Sequence, residues 1–182
     1  MNELSTYLTQ MNNDASIDKP VVVDNVINGI KQAGYTIVEI NDRKPWGAYI
    51  RFDNSEADRF VNEFFPGLTP EEARLGIENA ELSPKILLVA PRQRLSWQYH
   101  DRRAERWAFL TEGGYCKSST DEESEVINAE AGDVVQFIQS ERHRLVGTDT
   151  HYTFVAEIWQ HRDTENLSNE EDIVRVADDY KR

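Results

Sequence analysis

The feature that most limits how this chain can fold is a long segment, residues 85–160, that has no helical periodicity. Short apolar runs in it are separated by Gly- and Asp-containing turns, which is typical of antiparallel strands. The runs predict strands at 86–89, 106–110, 134–138, 143–146 and 153–159. Many short strands joined by turns favour an antiparallel β-sandwich or β-barrel.

The first 83 residues have a different pattern. Apolar residues at helical spacing predict a helix over 21–33, which ends before Gly34. A second helix is predicted to begin at Asn54 and to stop at Pro66-Gly67. Its apolar face comprises Ala57, Phe60, Val61, Phe64 and Phe65.

Three shorter features complete the N-terminal part. Thr69-Pro-Glu-Glu72 is a capping-box pattern and predicts a short helix that runs to about Ile77. Residues 35–40 alternate as a strand does, and the polar residues 1–19 are expected to be loosely held. A chain of 182 residues suits one domain. We therefore expect a helical and strand extension, 1–83, packed on a barrel, 84–182, with both in one compact unit.

Composition limits the partners and the compartment. With 20 basic and 33 acidic residues the formal net charge is −13, which argues against nonspecific binding to nucleic acid or to an anionic membrane. The single cysteine, Cys116, excludes an intrachain disulfide and favours a reducing compartment. Neither a secretion signal nor a membrane-spanning apolar run is visible. We expect a soluble, cytoplasmic protein.

Potential metal ligands are concentrated in one segment, 95–107, with the sequence LSWQYHDRRAERW. Side chains at positions i and i+2 of a strand point to the same face, so Gln98 and His100 can reach one point. Glu105 would face away on a continuous strand, but a bend in the polar residues between would bring it back inward. His143, which follows a Gly-Asp turn, is a fourth candidate. Nitrogen, carboxylate and amide ligands suit a divalent metal.

These motifs resemble those of the cupin superfamily, in which Gln-x-His-x4-Glu is followed by Gly-Asp…His, here with Gln in place of the usual first His. Within the cupins, the sequence of residues 95–107 is similar to a segment of the type II mannose-6-phosphate isomerase domain. Segments 44–49, 142–145 and 172–182 resemble further parts of the same domain. The resemblance covers about 44–49 and 84–182. It implies a jelly-roll barrel and a metal site formed by Gln98, His100, Glu105 and His143.

Zinc is the favoured metal for this site, and manganese, iron, nickel and cobalt are alternatives. Each ligand has a structural alternative, since a single His or Gln is more often a hydrogen-bonded structural residue. His151 and His161 fit no motif and are expected at the surface.

Three features depart from the isomerase pattern, one of them the turn Ile138-Gln-Ser-Glu141 in place of Pro-x-Gly before His143. The helical segment 54–83 is additional, and we expect its Phe-rich face to lie against the barrel wall, with a lid or a dimer surface as alternatives. The nucleotidyltransferase domain that is often fused ahead of such cupins is absent from the sequence, so guanylyl transfer is not expected.

A phosphorylated sugar requires a nearby cation, and arginine matches phosphate in a bidentate manner. The resemblance points first to Arg175 for this role. Arg102 and Arg103, beside the metal motif, are further candidates, and Trp46 could line a sugar site. The structural alternatives are ion pairs with the many carboxylates for the arginines and simple burial for the tryptophan.

An aldose–ketose isomerase removes a proton next to a carbonyl and returns it to the neighbouring carbon. A metal can stabilise the developing enediolate, and a separate group must carry the proton. Glu157, which matches a Glu of the family, is the first candidate. Lys85 is the second, either as a base or as a phosphate ligand. A buried carboxylate paired with an arginine is the structural alternative for Glu157.

The sequence therefore predicts a metal-dependent isomerase of a phosphorylated sugar. Mannose 6-phosphate and fructose 6-phosphate are the favoured pair, and a heptose 7-phosphate is an open variant. One alternative is a non-catalytic cupin that binds a sugar or a sugar phosphate. Another is an isomerase of a free sugar such as lyxose. The expected partner is a small sugar phosphate, and a homodimer is possible.

Overall fold

In the computed structural model, residues 3–182 are described, and they form two antiparallel sheets with helices against one of them. The helices are α1 (Leu4–Gln10), α2 (Lys19–Gln32), α3 (Ala57–Phe64) and α4 (Pro70–Ala73). The strands are β1 (Ile37–Asn41), β2 (Gly47–Phe52), β3 (Lys85–Val89), β4 (Trp97–Tyr99), β5 (Ala104–Phe109), β6 (Gly113–Ser118), β7 (Ile127–Ala129), β8 (Val134–Phe137), β9 (Arg142–Val146), β10 (Thr153–Gln160) and β11 (Val174–Ala177).

The predicted antiparallel β architecture with N-terminal helices is confirmed. Within residues 3–182, one sheet has the order β1-β2-β3-β10-β5-β8, and the other has the order β11-β4-β9-β6-β7. Non-consecutive neighbours such as β3 and β10 show that strands distant in sequence are paired. None of the helices in this part of the chain is long and apolar enough to cross a membrane.

The six-stranded sheet has apolar groups on both faces because successive side chains of a strand point to opposite sides. On β10, Phe154, Ala156 and Ile158 join the helices in one core. Val155 instead lies in the core between the two sheets, with residues such as Trp107 and Leu145. By the same alternation Glu157 points between the sheets, which puts a carboxylate in the interior of the barrel.

The helices α2 and α3 cover the outer face of this sheet. Phe60 of α3 is fully buried, and its ring lies 5.2 Å from that of Phe52 on β2. The Phe-rich face of α3 therefore packs on the barrel wall. The β2 strand pairs directly with β3 across the predicted boundary at residue 83. The division into an extension and a barrel stays a prediction.

The expectation that residues 1–19 are loosely held is wrong for the described residues of this range. They include α1, whose Leu4 and Leu8 are fully buried. The Tyr7 hydroxyl donates to the Asn25 carbonyl on α2 (3.0 Å), and the Ser5 amide donates to Glu63 on α3 (2.8 Å). A seven-residue helix with two buried leucines gives too little periodicity to be recognised from sequence. Residues 1–2 lie outside the described part.

The predicted capping box is present: the Thr69 hydroxyl accepts from the Glu72 amide, and the Glu72 carboxylate accepts from the Thr69 amide. The helix α4 nevertheless ends at Ala73 and not at about Ile77. Leu75 and Gly76 both have positive φ, 56° and 74°, which a continuing helix does not allow.

Candidate metal centre

Three predicted ligands meet at one point between the sheets. His100 directly follows β4, Glu105 lies on β5 and His143 on β9, and one potential ligand atom from each lies within 4.8 Å of the others. The Nε2 atom of His100 is 3.1 Å from Oε1 of Glu105. The Nε2 atom of His143 is 3.3 Å from Oε2 of Glu105. All three residues are buried.

The donor atoms fit a divalent cation. Glu105 Oε2 and His143 Nε2 are buried and have no hydrogen-bond partner among residues 3–182. Buried polar atoms without partners are rare and costly, which indicates that another group satisfies them. Two imidazole nitrogens and a carboxylate are ligands that zinc and related metals accept. This buried His-Glu-His cluster could therefore bind a metal.

Backbone carbonyls set the orientation of both imidazoles. His100 Nδ1 lies 2.6 Å from the carbonyl oxygen of Asp172, and His143 Nδ1 lies 2.9 Å from that of Glu141. Since a carbonyl only accepts hydrogen bonds, each Nδ1 must carry the proton. The Nε2 lone pairs are therefore directed toward Glu105, in the tautomer that a metal requires.

Gln98 lies beside this cluster. It is directly opposite His143 in the β4–β9 pair, and its side chain lines the same cavity as His100 and Glu105. Its Oε1 atom accepts a hydrogen bond from the Ser96 hydroxyl. The predicted role of Gln98 as a fourth ligand stays a prediction.

Arg103 is already engaged with the cluster. Its Nε donates to Glu105 Oε1 (2.8 Å), one terminal nitrogen is 3.2 Å from His100 Nε2, and the guanidinium carbon lies 3.7 Å from the Trp159 ring centroid. Burial alone would raise the pKa of Glu105, but its close contacts with His100, Arg103 and His143 hold it well below its usual range. Arg103 therefore keeps Glu105 ionised, which is the form that a metal binds.

Glu157 and Lys85 form a second buried pair nearby. The indole nitrogens of Trp107 and Trp159 each donate to Glu157, both at 3.0 Å. Lys85 Nζ is 3.7 Å from Glu157 Oε1. Burial is the main cause that raises the pKa of Glu157 to about 7, and burial also lowers the pKa of Lys85. The cation beside Glu157 is a lysine, and not the arginine of the structural alternative.

A cavity of about 70 Å³ lies against these groups. Its lining includes both candidate proton carriers and two of the predicted sugar-binding residues, Arg175 and Trp46. Trp46 is buried and Arg175 is exposed. Arg102 does not line the cavity, since its guanidinium donates to the Leu167 carbonyl (2.6 Å) and to Asn169 (3.2 Å). The structure thus brings Arg175, Arg103 and Trp46 to the site but not Arg102.

The loop between β10 and β11 supplies groups that the sequence did not reveal. Asp172 accepts hydrogen bonds from the backbone amides of Asp101 and Arg102, at 3.0 and 3.1 Å, while its carbonyl orients His100. The expectation of a surface position for His161 is wrong. It is fully buried between the Glu81 carbonyl (2.8 Å) and the Ser168 amide (3.1 Å). No periodic pattern signals these contacts.

Comparisons with known proteins concern the fold alone. No family model and no curated protein matches the sequence. The structure is similar to that of the capsular polysaccharide assembling protein CapF from Staphylococcus aureus, with 10% identity and a TM-score of 0.50, over 88% of this chain and 39% of that one. A Cupin 2 conserved barrel domain protein from Salinispora arenicola gives 22% identity and a TM-score of 0.36, over 43% and 62% of the two chains.

Vicilin from tomato gives 15% identity and a TM-score of 0.47, over 71% of this chain and 32% of that one. The chain thus covers less than two thirds of the length of each of these three proteins. Likeness at such identities concerns the fold alone. The fold is mainly β, with two antiparallel sheets, and its structural neighbours include a cupin barrel. The comparisons do not identify the isomerase domain.

Proposed function

We propose that this protein is a metal-dependent isomerase of a phosphorylated sugar, with mannose 6-phosphate and fructose 6-phosphate as the first substrate pair to test. One observation carries the proposal: His100 and Glu105 of the candidate metal centre line the same cavity as Glu157. An aldose–ketose isomerase needs both an electrophilic centre and a separate proton carrier within reach of one substrate.

The metal would be held by His100, Glu105 and His143, with Gln98 beside them, and zinc suits this donor set. When bound, it supplies a Lewis acid that polarises the carbonyl of the substrate. Arg103 holds Glu105 ionised, and the carbonyl of Asp172 holds His100 in the tautomer that leaves Nε2 free.

Glu157 is the proposed proton carrier. With a pKa raised to about 7 by burial, it has both protonation states available near neutral pH. It takes the proton from the carbon next to the carbonyl and returns it to the former carbonyl carbon, while the hydroxyl proton passes from one enediolate oxygen to the other. It therefore ends the cycle unchanged, and no oxidant is needed. The indoles of Trp107 and Trp159 fix the position of its carboxylate.

A non-catalytic sugar-phosphate-binding protein is the second candidate. It is favoured by the small size of the cavity, about 70 Å³, since sites for drug-sized ligands usually measure about 300 Å³ or more. Such a protein would bind the ligand without turnover, and its metal would be structural.

A phosphorus NMR time course separates the two candidates. The metal-reconstituted protein is incubated with mannose 6-phosphate and, separately, with a heptose 7-phosphate. We expect a ketose phosphate signal that is absent in Glu105→Ala and Glu157→Gln. The variant Glu171→Gln, which alters an exposed carboxylate, is the control and should keep full turnover. No conversion of either substrate with one metal per chain would reject the isomerase and favour the binding protein.

A further inference from the structure

Two cavities meet at the side chains of Glu170 and Trp159. The cavity at the metal centre measures about 70 Å³, and its neighbour measures about 250 Å³ and is lined in part by Glu39, Arg51 and Ser168. Glu170 and Trp159 line both cavities. The smaller cavity holds no more than a few water molecules, since a water occupies about 30 Å³ in the liquid. Joined, the two cavities would give a ligand of sugar size more room than the smaller one alone.

Of the two dividing side chains, only Glu170 is free to move. Trp159 is buried in β10, whereas the Glu170 side chain is 47% exposed. The backbone on either side of Glu170 is fixed: the Asn169 carbonyl accepts from Arg103 (3.1 Å), and Asp172 is held by backbone amides. Rotation of the Glu170 side chain into solvent would join the cavities without moving the loop.

Lys85 holds Glu170 in place. Its ammonium group is 3.2 Å from Glu170 Oε1 and 3.3 Å from the ring centroid of Trp159. The side chain is only 2% exposed, and Nζ has no hydrogen-bond partner among residues 3–182. If Glu170 leaves, the nearest carboxylate is that of Glu157 at 3.7 Å, which already accepts from two indoles. A buried ammonium with so little compensation is costly, so another anion would be favoured in the same place.

We propose that Lys85 binds the anionic group of the ligand and that Glu170 is a gate whose carboxylate occupies this anion position until the ligand arrives. The ligand class is a polyol or sugar that carries a phosphate monoester. The part of the inference that names a phosphate rests on the proposed function. Besides Arg103, which is paired with Glu105, three further cations line the same cavity and favour the entry of an anion: Lys44, Arg175 and Arg182.

The experiment measures binding and requires no turnover. Calorimetry gives the dissociation constants of inorganic phosphate and of glucitol 6-phosphate, which lacks a carbonyl and cannot isomerise. Wild type, Glu170→Gln and Glu171→Gln are compared, both with metal and after chelation. The two variants lose the same charge one residue apart, but only Glu170 approaches Lys85. We expect Glu170→Gln to bind both ligands about tenfold more tightly or better, because a competing carboxylate is removed. Glu171→Gln should bind as wild type does.

A third variant, Lys85→Met, tests the anion site itself, and a thermal melt checks that it is folded. When Lys85→Met is combined with Glu170→Gln, the tighter binding that Glu170→Gln produces should disappear. Equal tightening by Glu170→Gln and Glu171→Gln, or unchanged binding in a folded Lys85→Met protein, would overturn the inference, because the anion would then bind at the exposed cations. Binding of phosphate without glucitol 6-phosphate would reject the sugar class. If both ligands bind as expected while mannose 6-phosphate is not converted, the proposed isomerase activity is rejected and the proposed role of Glu170 as a gate is kept.

Discussion

At the scale of single residues, Glu105 connects the groups of the candidate metal centre. Its two oxygens face His100 and His143, and Arg103 donates to it from the side. All four side chains are at least nine-tenths buried, so each charge depends on its neighbours. Removing a partner from such a group leaves a buried charge or lone pair uncompensated, which is more costly than the loss of a surface ion pair.

The histidines allow a matched test of metal binding. We expect His143→Ala to lose nearly all bound metal, since one of three converging ligands is removed. The half-buried His151 lies outside the cluster, and its Nε2 faces the Glu112 carbonyl at 3.2 Å. His151→Ala should therefore keep one metal per chain. Metal content by mass spectrometry after zinc reconstitution checks both variants, and full loading of His143→Ala would remove it from the ligand set.

The raised pKa of Glu157 predicts that the stability of the protein falls as the pH rises. Burial raises its pKa from 4.5 in the unfolded chain to about 7 in the folded protein. A group with a raised folded pKa stabilises the fold fully below its unfolded pKa, and this stabilisation is lost as the pH rises through about 7. Metal-free wild type should therefore lose stability relative to Glu157→Gln between pH 4.5 and 7, by up to about 3 kcal/mol.

The measurement is urea unfolding of the two metal-free proteins across that pH range. A free-energy difference that does not change with pH would show that Glu157 is ionised throughout, stabilised by Lys85. A constant offset between the proteins is expected in any case, because glutamine accepts the indole hydrogen bonds less well.

At the scale of elements, the contact of α1 with α2 depends on Gly29. A Cβ atom at this position would overlap the ring of Tyr7, whose hydroxyl donates to the Asn25 carbonyl. Gly29→Ala should therefore destabilise the protein by about 1–3 kcal/mol, although alanine is the better helix former by about 1 kcal/mol. Asn28, exposed on the same helix, is the control, and Asn28→Ala should be neutral or stabilising.

Chemical denaturation of the single and double variants checks this. In the background of Tyr7→Ala the penalty of Gly29→Ala should largely disappear, because the overlapping ring is gone. An equal penalty in both backgrounds would place its cause elsewhere in α2.

At the scale of the whole molecule, the candidate metal centre lies where the two sheets meet. Glu105 belongs to the six-stranded sheet, and His143 belongs to the five-stranded sheet. A metal bound to both would connect the sheets and stabilise the folded state by mass action, by about 4 kcal/mol at a thousandfold excess over its dissociation constant. Zinc should therefore raise the Tm of wild type and a chelator should reverse the rise.

The control for this effect is His143→Ala, whose Tm should not respond to zinc. A similar response in both proteins would show that zinc acts at another place.

The predicted homodimer stays a prediction, and sedimentation can test it. On the edge strand β1, Val38 and Ile40 are 45% and 46% exposed, which makes this edge the first place to look for a contact between copies.

The antiparallel architecture could be predicted from the sequence, and so could the local pair of candidate metal ligands, His100 and Glu105. Period-two alternation separates the side chains of a strand into two faces but does not say which face is inward when both are buried, as in β3 and β10. Glu157 is therefore predicted from its match to a Glu of the family, and Lys85 from its position at the start of the strand before the metal motif. The spacing of Gln98, His100 and Glu105 is local, but the inward position of Glu105 also depends on a bend in the polar residues between. The capping box at Thr69 depends on residues only three apart. These features depend on residues that are close together in the sequence.

Which distant groups meet depends on packing between segments that are far apart in the chain. Asp172 orients His100 from 72 positions away, and Glu170 reaches Lys85 from a loop without periodicity. His161 is buried because the Glu81 carbonyl and the Ser168 amide enclose it. Periodicity reports the face on which a residue lies but not the partner that covers it. The gate, the tautomer of His100 and the docking of α1 therefore depend on packing between segments that no local pattern connects.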